Sequence, residues 1–83
     1  LLEEIHRHRF SPQCLEILGL TKREAEVLFW VARDKSTDQI SKQLEVSNRT
    51  VKKHLENIYH KLDVQSRLGA VMYALHQLGI VNF

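Results

Sequence analysis

An all-α fold is what this chain of 83 residues predicts. Three glycines and one proline leave little room for loops. Apolar and polar residues never alternate in the β manner for more than a few positions. Residues 47–62, SNRTVKKHLENIYHKL, place Val51, Leu55, Ile58 and Leu62 along one stripe of helical period. This length makes one domain. Folding hides only about 60% of the surface that so short an unfolded chain exposes, which disfavours an enzyme built around a deep cleft.

Leu1 to about Phe10 is weakly amphipathic with mixed charge. Ser11-Pro12 starts a short helix through about Leu18, since proline suits the first helical turn, and Gly19 closes it. Residues 1–19 read as a linker or accessory helix and residues 20–83 as the domain proper. Thr21 with Glu24 three positions on forms a capping box. Ala25, Leu28, Val31 and Ala32 then supply the buried stripe of a helix ending near Arg33, where Asp34 breaks it. Ser36 with Gln39 forms a second box for a short helix that turns Ile40 and Leu44 inward and ends before Glu45-Val46. Ser47 caps the next helix, with Thr50 close behind. Ser66 caps a last helix to about Leu78, and Gly79 stops it. That helix is apolar on two sides, with Ala70, Ala74 and Leu78 on one and Leu68, Val71, Met72 and Leu75 on the other. A domain this small cannot bury both, so one side is a candidate partner surface.

The order short helix, tight turn, longer helix is the helix-turn-helix layout, whose second helix enters the major groove of DNA. The helical wheel turns Arg49, Lys53, Glu56 and His60 away from the apolar stripe, with Lys52 and Asn57 on the flanks. Side chains of these types reach base edges or phosphates. Total charge is mild, +2 from 12 Lys/Arg and 10 Asp/Glu. Its distribution says more, because between Ser47 and Arg67 five bases (Arg49, Lys52, Lys53, Lys61, Arg67) stand against two acids (Glu56, Asp63). Cys14 is the single cysteine, so no internal disulfide forms, which suits a reducing cytosol. The sequence holds no signal peptide and no apolar run of roughly 18 residues, so a cytoplasmic protein with no membrane partner is expected. The chain begins without Met, inside an expected helix, and is expected to be a piece of something longer.

From Leu20 to about Ala74 the sequence resembles the effector domain of LuxR-type and NarL/FixJ-type transcription regulators, which are four-helix helix-turn-helix domains. The residues that carry the resemblance are LTKREAEVLFWVA at 20–32, Lys35 and Ser36, Ile40 and Leu44, VSNRTVKKHLENIYHKLDV at 46–64, and Arg67 with Ala70. It implies sequence-specific binding to double-stranded promoter DNA, with the helix of about 48–62 in the major groove. It also implies a homodimer, which is expected to be weak without DNA because the apolar area left on the last helix is small; RNA polymerase is expected as a further partner, and no cofactor is expected. Carried over by position, Lys52, Lys53 and Glu56 stand where bases are commonly faced, Ser47, Thr50 and Lys52 where phosphates are often contacted, and the start of the 36–44 helix close to the DNA backbone. Asn48 and Arg49 share that first turn. The helical wheel independently turns Lys53 and Glu56 outward and leaves Lys52 on a flank, better suited to phosphate. On the last helix the resemblance sets Ala70 and Ala74 against the core and leaves Leu68 and Met72 for the dimer contact. Four positions depart from the family pattern. Asp34 and Glu45 replace glycines, which aspartate tolerates better than most residues. Ser41 replaces an alanine, where a hydroxyl bonded to a preceding carbonyl is expected. Glu56 repels phosphate but accepts a hydrogen bond from cytosine N4, which hints at base preference.

The alternative reading is a helical protein-binding module that uses the apolar last helix, and salt-dependent DNA affinity separates the two. His6, His8 and Cys14 lack established ligand spacing, so no metal is expected. His54, at the inner edge of its helix, reads as packed or backbone-bonded, since no nucleophile or paired carboxylate accompanies it. Phe29, Trp30 and Tyr59 read as core residues and not as a stacking platform for single strands.

Overall fold

The computed structural model describes residues 10–80. Five helices and no strand are found among these: α1 (Pro12–Leu15), continued by a 3-10 turn (Glu16–Leu18), α2 (Lys22–Ala32), α3 (Thr37–Leu44), α4 (Asn48–Leu62) and α5 (Arg67–Gln77). The amphipathic segment expected over residues 1–10 falls almost wholly outside the described residues, as do His6 and His8. Each helix starts on a hydroxyl. Ser11, Thr21, Ser36, Ser47 and Ser66 each accept the backbone N–H three residues on. Both capping boxes close, because the Glu24 and Gln39 side chains return to the N–H groups of Thr21 and Ser36, each at 2.9 Å.

Helices α2 to α5 all end in the same way. The N–H groups of Lys35, Val46, Val64 and Ile80 bond back to the carbonyls of Trp30, Ser41, Tyr59 and Leu75, five residues earlier. The residue before each donor is left-handed: Asp34 (φ 64), Glu45 (φ 57), Asp63 (φ 55) and Gly79 (φ 72). Only the last is glycine. Three of the four closures therefore hold an L side chain where the backbone disfavours one.

The core gathers Leu15, Leu20, Val27, Leu28, Val31, Ile40, Val51, Leu55, Ile58, Leu62, Ala70 and Ala74. Leu15 lies before the expected division at residue 19 yet shares this cluster and is fully buried. Phe10 stacks on Phe29 with ring centroids 5.9 Å apart, so the described residues before Leu20 pack on α2. The methyl-sized Ala70 and Ala74 let α5 approach α2 and α4. Phe29, Trp30 and Tyr59, expected in the core, are only half-buried at its edge. The inward arc of α2 is filled by Val27, Leu28 and Val31, so Phe29 and Trp30 fall beside it. There Phe29 meets Trp30 edge-on at 5.3 Å, and the Arg33 guanidinium lies 4.9 Å over the Phe29 ring.

Candidate nucleic-acid interface

The inner face of α4 fixes what its outer face shows. Val51, Leu55, Ile58 and Leu62 are buried, and Asn48, Arg49, Thr50, Lys52, Lys53, Glu56 and His60 are exposed. Asn57 is half-buried. Ser47 Oγ accepts the Thr50 N–H at 3.1 Å and lies 2.9 Å from Thr50 Oγ1, so the two hydroxyls sit together at the exposed start of the helix. The first turn of α4 carries no acid, whereas those of α2 and α3 carry Glu24 and Asp38. The positive end of the helix dipole thus joins Arg49, Lys52 and Lys53 on one surface, an arrangement that attracts anions. Lys53 Nζ stands 3.9 Å from Glu56 Oε2 with both side chains 70% exposed. So loose a pair is screened by water and leaves each member open to another partner.

Helix α3 presents α4 across three residues, Glu45 to Ser47. Ser41 is buried, and its Oγ donates to the Asp38 carbonyl at 2.8 Å, which is how a hydroxyl fits in the position expected for alanine.

Two of the five bases counted between Ser47 and Arg67 are bound to the fold itself. Lys61 Nζ lies 2.7 Å from Glu24 Oε1, whose side chain is almost fully buried. Burial pushes the Glu24 carboxyl up. The hydrogen bond from Lys61, the Thr21 N–H, the Lys61 charge and the Thr21 hydroxyl outweigh it, and the group rests below its ordinary value. Arg67 donates through Nη1 to the Lys35 carbonyl at 2.9 Å and through Nη2 to Thr37 Oγ1, clamping the start of α5 to the start of α3. The free basic surface is therefore Arg49, Lys52 and Lys53, narrower than the count along the chain suggested. His54 is packed, as one of its two readings held. Its Nδ1 is buried without a hydrogen-bond partner, so the backbone bond is not made at that nitrogen. On α5, Leu68 is 70% exposed and Met72 half-buried. Among the described residues, no three His, Cys, Asp or Glu side chains gather where a metal ion could be held.

A helix buried along one side, cationic at its exposed start and presented by a shorter helix across a tight turn defines a helix-turn-helix domain. Residues 18–74 match the family GerE, "Bacterial regulatory proteins, luxR family", and the chain belongs to that family of DNA-binding transcription regulators, which are not enzymes. It is 44% identical over 64 residues to the "Transcriptional regulatory protein LiaR" of Bacillus subtilis (strain 168), a match covering 77% of this chain and 30% of LiaR. Over 82 residues it is 30% identical to the "HTH-type transcriptional regulator MalT" of Vibrio campbellii (strain ATCC BAA-1116), covering 99% of this chain and 9% of MalT. The MalT of Vibrio parahaemolyticus serotype O3:K6 (strain RIMD 2210633) gives the same figures. The chain thus spans a third or less of the length of these relatives. None of the helices among the described residues is long and apolar enough to cross a membrane.

Proposed function

We propose that this chain binds promoter DNA in a sequence-specific manner, with α4 in the major groove, as the effector part of a cytoplasmic transcription regulator. The observation that carries this reading is the exposed first half of α4, where three unpaired or loosely paired bases share a surface with an acid-free helix start. Lys53 and Glu56 read base edges, and Lys52 with the Ser47 and Thr50 hydroxyls holds phosphate. Asn48 and Arg49 flank the entry to the groove. Residues 20–83 carry the DNA-binding surface on a core that Leu15 completes, and the rest of residues 1–19 act as an accessory segment. A second copy and RNA polymerase are its protein partners.

Selection of bound sequences from randomised duplexes tests this reading. Lys53→Ala and Glu56→Ala each change the selected motif, at about 1–3 kcal/mol for the matching base pair. Lys52→Ala instead weakens all sequences evenly and flattens the slope of log K against log salt by about 0.9, one neutralised phosphate. Because Lys53 and Glu56 also touch each other, their double mutant departs from additivity. An identical motif from wild type and both groove mutants would refute the assignment.

A further inference from the structure

We propose that the cleft between α2 and α3 docks an acidic segment of a partner protein, seating one apolar or aromatic side chain against Trp30. The cleft has a volume of about 350 Å³ and is lined by Trp30, Lys35, Gln39, Lys42 and Gln43. That is at the small end of the range for ligand sites, about 300 to 1,000 Å³, and suits one side chain with its neighbours on the rim. No residue of α4 lines it. The proposal rests on α4 being the DNA-facing helix, because only then does the cleft stay open to a third partner on DNA.

Local structure builds the two walls together. The Trp30 carbonyl accepts the N–H groups of Arg33 and Lys35, both at 3.1 Å, so the closing turn of α2 brings Lys35 back beside the indole. Phe29, edge-on to Trp30, supports the ring. Gln39 and Lys42 stand on the face of α3 opposite the buried Ile40 and Ser41, with Gln43 exposed on the flank. The rim is rich in donors. Gln39 Oε1 is held by the Ser36 N–H at 2.9 Å, which leaves its amide NH₂ to donate outward. Lys35 has no ion-pair partner among the described residues, and Lys42 reaches only Asp38, at 3.1 Å with both side chains more than half exposed. So exposed a pair contributes little and exchanges readily for an incoming carboxylate. Ammonium and amide donors around an apolar floor complement carboxylates flanking an apolar side chain. A phosphate backbone would use the lysines and leave the indole without a partner.

The single tryptophan makes the test direct, since its emission reports on this cleft alone. The chain is titrated with a short peptide holding one phenylalanine between pairs of glutamates, with a second in which serine replaces phenylalanine, and with a third in which lysines replace the glutamates. A saturable change is expected with the first peptide only. In Lys35→Glu/Lys42→Glu its affinity falls at least about tenfold. Lys35→Gln/Lys42→Gln gives a smaller loss in the same direction. The salt slope of binding to a random-sequence duplex is unchanged in Lys35→Gln/Lys42→Gln, because no phosphate contact is lost, and far-UV circular dichroism checks that the variants are folded. No response to the first peptide, or an equal response to all three, overturns the proposal. It is also overturned if Lys35→Gln/Lys42→Gln loses duplex affinity with a flatter salt slope, because the cleft then faces phosphate. If wild type binds no duplex, the function proposed above fails, and the peptide titration is still read on its own.

Discussion

The buried Glu24 carboxylate owes its charge to Lys61 and Thr21. Burial alone would raise its pKa, and the bonds it accepts from those two residues bring it below its ordinary value near 4.5. A carboxyl whose pKa is depressed on folding adds stability that is complete above its unfolded pKa. That stability is lost as pH falls through the folded one. Lys61→Met removes the ammonium and leaves the carboxylate buried, so the Glu24 pKa moves up and the loss sets in at higher pH. At neutral pH the variant is less stable by about 1.5–3 kcal/mol, the range for a hydrogen bond to a charged group. Lys61 is itself 37% exposed, so solvent screening holds the effect to the lower part of that range. Carboxyl NMR titration and urea melts across acid pH read both effects. An unchanged Glu24 titration would mean that Thr21 alone holds the charge. Sequence reading found half of this arrangement. Glu24 is legible as a cap because Thr21 stands three residues away, but its ion-pair partner stands 37 residues on and depends on how α2 and α4 cross. For that reason a charge count along residues 47–67 takes Lys61 and Arg67 together with the free bases of α4.

Element boundaries were legible where the chemistry is local. Hydroxyl caps at Thr21, Ser36, Ser47 and Ser66 act on N–H groups three residues away, and the left-handed closures at Asp34 and Gly79 could be read from breaker residues. The closure at Asp63, and the shared five-residue return bond, were not anticipated, since aspartate after Leu62 carries no sharp stop signal. Glu45 is the clearest mismatch of residue and backbone. At φ 57 it holds a Cβ-bearing side chain where glycine is free of strain and where aspartate and asparagine are tolerated better than glutamate. Glu45→Gly is expected to stabilise the domain by about 0.5–1 kcal/mol, the relief of strain being partly offset by the greater freedom of glycine in the unfolded chain. Asp63→Gly stabilises less. Thermal melts of the two variants give the order, and a larger gain at Asp63 would contradict it. The same Glu45 change takes a negative charge off the turn before α4, so duplex affinity rises with it. Ser47→Ala works in the other direction. It removes the bond to the Thr50 N–H and costs about 1 kcal/mol of stability.

Over the whole molecule, what distinguishes α5 is that it lies across α2 and α4 by its small residues and leaves larger ones outside. Ala70 and Ala74 are fully buried, Leu68 is 70% exposed, and Met72 and Leu75 are half-buried. Beside Leu68 a hollow of about 310 Å³ is lined by Val31, Ala32, Asp34, Arg67 and Val71. An exposed knob next to an apolar hollow with one acid and one base on its rim is chemically self-complementary, which suits a two-fold contact in which each copy's Leu68 faces its partner. One side chain and its neighbours would make a small interface, well below the roughly 1,200 Å² of a stable complex, so weak dimerisation at most is expected of the free domain. In the proposed dimer, two half-sites about one helical turn of DNA apart would hold the copies together and raise their effective concentration. Leu68→Lys, alone and with Met72→Lys, is therefore expected to leave the monomer folded and its affinity for a single half-site unchanged, while cooperative occupancy of a paired site disappears. The single variant guards the test, because half-buried Met72 also packs at home and the double variant could lose stability for that reason. If Leu68→Lys retains cooperativity in gel-shift titrations of paired sites, the two copies meet elsewhere and the exposed leucine serves another partner.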